Sequence, residues 1–66
     1  VTVTVNGEAR RLEAGATVAT VVAGLTSATS GVAVAVNETI VPRATWEVTA
    51  LDDGDRVEVL TAVQGG

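Results

Sequence analysis

The chain has 66 residues, with four arginines, eight carboxylates and a net charge of −4, and it contains no lysine, histidine or cysteine. That length allows one small domain, which buries only about 60% of the surface its unfolded chain exposes. Without Cys or His there is no disulfide, thiolate or imidazole metal ligand, and no Ser–His or Cys–His nucleophile. The four basic residues (Arg10, Arg11, Arg43 and Arg56) are all arginines, so Schiff-base chemistry is excluded as well. An acidic chain with one aromatic offers neither phosphate contacts nor stacking platforms for nucleic acid. No run of about 20 apolar residues suggests a membrane span, and no segment reads as a signal peptide. The composition points to a cytoplasmic protein that meets protein partners, with no catalytic residues of its own.

Residues 1–5, Val-Thr-Val-Thr-Val, alternate strictly between apolar and polar, which predicts a half-buried strand with Val1, Val3 and Val5 facing the core. Asn6 and Gly7 follow as a two-residue hairpin turn, since both types tolerate positive φ, and residues 8–12 read as the returning strand. Val18, Val21, Val22 and Leu25 then recur at i, i+3, i+4 and i+7, one stripe of a helix. Thr17 is placed to cap its start and Gly24 to end it. Residues 26–31 read as a mobile polar loop.

Residues 32–36, Val-Ala-Val-Ala-Val, form a continuous apolar run, the pattern of a strand covered on both sides or lying centrally in a sheet. A turn at Asn37, Glu38 and Thr39 leads to a short extended piece at Ile40 and Val41. Pro42 confines that piece to an edge. Residues 44–49 predict a turn or a single helical turn that inserts Trp46, the sole aromatic, into the core. Asp52, Asp53, Gly54 and Asp55 make a tight turn with a positive φ at Gly54, and residues 56–60 alternate as the last strand. The acidic turn falls far short of a calcium loop and reads as solvated. Hairpin, helix, strand, edge strand and strand together define an α+β domain. We expect a mixed sheet of four to five strands with one main helix on one face, a folded domain over residues 1–60, and a flexible tail over 61–66.

The tail ends in Gly65 and Gly66. A diglycine end has no Cβ, can enter a narrow channel, and presents a free carboxylate away from the folded body. Such a group suits activation by another protein, because attack on the α-phosphate of ATP converts a poor electrophile into an acyl adenylate.

The segment Asn37-Glu38-Thr39-Ile40-Val41-Pro42-Arg43-Ala44-Thr45-Trp46 resembles the central signature of the ThiS sulfur carrier family of thiamine biosynthesis. Residues 53–59, Asp-Gly-Asp-Arg-Val-Glu-Val, with Ala62-Val63-Gln64-Gly65-Gly66, resemble its C-terminal segment. The hairpin turn and the helix position agree, so the resemblance covers essentially the whole chain. No methionine opens it, a departure that touches no functional residue. The resemblance implies the ubiquitin-like β-grasp fold and a carrier cycle. A ThiF-type, E1-like adenylyltransferase would adenylate Gly66, with ATP bound by that partner and no cofactor or metal held by the carrier. Sulfur from a cysteine desulfurase persulfide would replace AMP to give a thiocarboxylate, and a ThiG-type thiazole synthase would accept it. Gly65 and Val63 would serve tail recognition. Arg43 stands either as a partner contact or as a solvated arginine beside an edge strand. The free carrier is expected to be a monomer.

Three other readings share these features. A MoaD-type small subunit of molybdopterin synthase has the same terminal chemistry, but those chains are longer and tend to carry a proline near the tail. A protein modifier would form isopeptide bonds through Gly66; without lysine it could not build lysine-linked chains of itself. A β-grasp binding module would carry the diglycine incidentally.

Overall fold

A computed structural model of the chain describes residues 1–26 and 31–61. The expected loop at 26–31 is therefore described only at Thr26 and Gly31, and the expected tail only at Thr61, which is the last residue of a strand.

The elements in chain order are β1 (Thr2–Val5), β2 (Glu8–Arg11), α1 (Val18–Leu25), β3 (Val32–Val36), β4 (Thr39–Ile40), a 3-10 helix (Arg43–Val48) and β5 (Arg56–Thr61). The strands form one five-stranded sheet in the order β2-β1-β5-β3-β4. β1 pairs antiparallel with β2 and parallel with β5, while β3 pairs antiparallel with both β5 and β4. The first and last strands thus meet inside the sheet, β1 beside the start of β5.

Alternation works as expected in β1: Val3 and Val5 are buried, Val1 is half-buried and Thr2 is exposed. The core is almost wholly valine. Val3 and Val5 from β1, Val18, Val21 and Val22 from α1, Val34 from β3, and Val57 and Val59 from β5 pack with Leu51 and Trp46. Valine suits the strands by propensity but is a mediocre helix former, so burial rather than propensity stabilises the eight-residue α1. Thr17 caps the helix reciprocally with Thr20, each side chain accepting from the other's backbone N–H at 3.4 Å. The cap is tied to the rest of the domain, because Val18 N–H donates to Thr49 O and Leu51 N–H to Ala16 O.

One expectation needs correction. α1 continues through Gly24 to Leu25, and the chain leaves it at Thr26 in an extended conformation with φ −150°. Gly24 takes no positive φ, and Leu25 is exposed instead of completing the buried stripe. β3 takes the second of its two expected placements: it lies inside the sheet between β5 and β4 and is covered on its helix side alone. Val34 is buried and Val32 and Val36 are half-buried on the helix side, whereas Ala33 is exposed on the other.

Both hairpins turn through pairs of residues in the left-handed region: Asn6 and Gly7 at φ 52° and 83°, Asn37 and Glu38 at 51° and 71°. Glu38 is the strained member, since a side chain with a Cβ costs about 1–2 kcal/mol in that conformation. Its carboxylate meets Arg56 at 2.6 Å across the sheet. Trp46 is buried as expected, and its Nε1–H donates to Val41 O at 2.9 Å, satisfying its polar end.

Candidate functional site

Opposite α1 no described element covers the sheet. Register places Leu60 beside Ala33 and Glu58 beside Ala35, and Ala35 beside Ile40 in turn, all on the open face. Leu60 and Ile40 are 70% and 68% exposed, although only ten of the described residues form the buried core. Together they line a shallow depression of about 370 Å³ floored by the two alanines and bordered by Asn6, Glu38 and Glu58. Small residues on β3 flanked by large ones on β4 and β5 make a concave surface rather than a flat one. An apolar floor with an acidic border fits a protein partner carrying apolar anchors within a basic rim.

This surface was not legible in the run Val-Ala-Val-Ala-Val, where every residue is apolar and inward cannot be told from outward. Only pairing with β5, whose own alternation of Val57 and Val59 against Glu58 and Leu60 is unambiguous, sorts the two faces.

Of the sequence-predicted site residues, Gly66, Gly65 and Val63 lie outside the described residues. Their attachment point is described: β5 runs through Thr61, paired with Val32 of β3, and Leu60 of the open face immediately precedes it. Arg43 opens the 3-10 helix, on the Trp46 side of the domain, and its guanidinium lies 5.5 Å from the centroid of the Trp46 ring. That distance gives a cation–π contact, worth about 0.5–1 kcal/mol at an exposed site. Arg43 and the open-face depression are therefore built by different elements, and the geometry gives Arg43 a packing role through Trp46.

Two carboxylates of the last turn have structural work. Asp53 accepts from Thr2 N–H at 2.7 Å, and Asp55 accepts from Asp52 N–H and from Asn37 Nδ2. Among the described residues no group of three or more His, Cys, Asp or Glu side chains is arranged to hold a metal ion. Among them, too, no helix is long and apolar enough to cross a membrane.

A mixed five-stranded sheet with one main helix across one face and its first and last strands parallel at the centre is the β-grasp of ubiquitin-like proteins. The sequence matches the ThiS family over residues 3–66. It is 34% identical over 61 residues to the sulfur carrier protein ThiS of Escherichia coli K12, covering 92% of each chain. The crystal structure of the thiamine biosynthesis protein ThiS from Geobacter metallireducens is similar throughout, with a TM-score of 0.79, 29% identity and full coverage of both chains. The chain belongs to the ThiS family.

Proposed function

We propose that this protein is a sulfur carrier of thiamine biosynthesis, a co-substrate whose reacting group is the Gly66 carboxylate. The observation that carries the reading is the pairing of a ThiS-family match reaching Gly66 with an exposed apolar depression one residue from the point where the tail begins. A ThiF-type adenylyltransferase docks on the open face through contacts with Ile40 and Leu60 and receives the tail in its own ATP site. Glycine at 65 and 66 leaves no side chain to obstruct that entry.

The carboxylate oxygen of Gly66 attacks the α-phosphate of ATP, forming the acyl adenylate and releasing pyrophosphate. A persulfide sulfur, derived from cysteine by a desulfurase, attacks the acyl carbon and expels AMP, leaving an acyl disulfide. A thiol then attacks the donor-side sulfur, takes it up as a disulfide, and frees the thiocarboxylate. A ThiG-type thiazole synthase accepts the sulfur into the thiazole ring. The carrier holds no cofactor in this scheme, and ATP belongs to the partner. The absence of Cys, His and Lys side chains leaves the chain without a thiol, imidazole or ε-amine to intercept its own activated terminus. A cytoplasmic site and a monomeric free carrier accord with an acidic chain that must reach soluble enzymes.

Deletion of Gly65 and Gly66 tests the reading. The shortened chain should melt as the full chain does and yet support no pyrophosphate release by the ThiF-type enzyme. Activity in the shortened chain would place the function elsewhere in the domain.

A further inference from the structure

The parallel ladder between β1 and β5 is short. Thr4 sits beside Arg56 and Val5 beside Val57, Asn6 N–H donates to Val57 O at 2.9 Å, and the chain then turns away through Asn6 and Gly7. Two residues farther along β5, Val59 presents its own N–H and C=O toward the same side, where β1 has no backbone left to meet them. The Asn6 side chain meets both. Its Oδ1 accepts from Val59 N–H at 2.8 Å and its Nδ2 donates to Val59 O at 3.1 Å. A carboxamide carries the same donor and acceptor as a peptide group, so Asn6 extends β1 by one artificial step.

We propose that Asn6 is a positioning residue for the reacting tail: its carboxamide pins the β1 side of β5 at Val59 and so fixes the direction in which the chain leaves the sheet toward Gly66. This rests on the carrier reading above. On the β3 side, β5 is held by ladder pairing as far as Thr61. Val59 is the last residue held on the β1 side by any described contact, two residues before the strand ends. Remove the carboxamide and the end of β5 is anchored along one edge only, free to twist about the β3 ladder and swing the tail with it.

The turn alone does not require this side chain. Gly and Asp both tolerate the φ of 52° at this position, and Asp-Gly is a favoured hairpin pair in its own right. Only Asn combines the turn conformation with one donor and one acceptor for Val59. Asn37 supplies an internal comparison at the other end of the strand. Its backbone N–H donates to Arg56 O at 2.8 Å, its Oδ1 accepts from Arg56 N–H and its Nδ2 donates to Asp55, all remote from the tail.

The experiment compares Asn6→Asp, Asn6→Gly and Asn37→Gly in the full-length protein. Amide hydrogen exchange at Val59 is measured alongside KM and kcat for carrier adenylation by a ThiF-type enzyme. Asn6→Asp keeps the turn and the acceptor but sets a carboxylate oxygen against Val59 O. We expect both Asn6 variants to lower kcat about tenfold, the equivalent of one to two lost hydrogen bonds. Val59 exchange should rise about tenfold in Asn6→Gly. Asn37→Gly should lower the melting temperature while leaving kcat and Val59 protection at wild-type values. Wild-type kcat in Asn6→Asp, or an equal loss in Asn37→Gly, would overturn the proposal and reduce Asn6 to a turn residue. Unchanged Val59 exchange in Asn6→Gly would overturn the clamp itself. Absence of any adenylation of the wild type would instead strike at the carrier reading, and the exchange comparison would still decide whether the clamp exists.

Discussion

Replacing Ile40 and Leu60 with threonine separates the open face from the core. At 68% and 70% exposure these side chains contribute little burial to the fold, and threonine suits a strand as well as they do. Folding stability should therefore change by no more than about 0.5 kcal/mol for each substitution. Docking is a different matter. Full burial of Leu or Ile is worth about 1.5–3 kcal/mol, and these exposures leave roughly two thirds of that to be gained against a partner. Threonine keeps part of the apolar surface, so each substitution should cost about 1 kcal/mol of docking, or roughly fivefold in KM. The two residues line the same depression and are close enough to couple, so the double variant should raise KM between about tenfold and thirtyfold. Pyrophosphate release by the ThiF-type enzyme, followed against carrier concentration, reads KM. Urea unfolding followed by Trp46 fluorescence reads stability. A KM within about twofold of wild type would remove the open face from the docking account. A loss of more than about 2 kcal/mol of stability would show that these residues belong to the fold after all.

Three further predictions concern the scaffold. Glu38→Gly relieves a φ of 71° that costs about 1–2 kcal/mol, at the expense of an exposed ion pair worth about 0–1, so urea unfolding should show a small net gain; a loss above about 1 kcal/mol would make the Arg56 pair dominant. Thr17→Ala removes the bond from Thr20 N–H to the Thr17 hydroxyl, leaves the one from Thr17 N–H to the Thr20 hydroxyl, and should destabilise the protein by about 1 kcal/mol, measured by thermal melting, whereas an unchanged midpoint would mean that the remaining bond and the tie between Val18 and Thr49 hold the helix start. Trp46→Ala should cost about 3–5 kcal/mol, a large share of the roughly 3–10 kcal/mol expected for a chain of this length, so circular dichroism should record a weak or lost cooperative transition; near-wild-type melting would mean that the valine core stands without its one aromatic.

Local patterns carried much of the fold. The alternation of β1, the Asn6–Gly7 turn and the cap at Thr17 are each specified by residues within a few positions of one another. Gly24 misled because glycine signals a helix end only where the chain needs a positive φ, and here the exit at Thr26 is extended. The open face and the Asn6 clamp were hidden for another reason: each depends on register with β5, more than 20 residues away from β3 and more than 50 from Asn6. Asn6 fits the hairpin so well that the turn accounts for it completely until Val59 is placed beside it.

The central claim is that Gly66 carries sulfur, and the composition makes it directly measurable. The protein would be incubated with ATP, a ThiF-type adenylyltransferase, a cysteine desulfurase, cysteine and a thiol reductant, then treated with a thiol-specific alkylating reagent and fragmented intact in a mass spectrometer. The chain contains no cysteine, so an alkyl group on the protein requires a newly formed sulfur nucleophile. The account predicts one ATP-dependent adduct localised to Gly66. An unmodified Gly66, with an established carrier converted alongside, would contradict it.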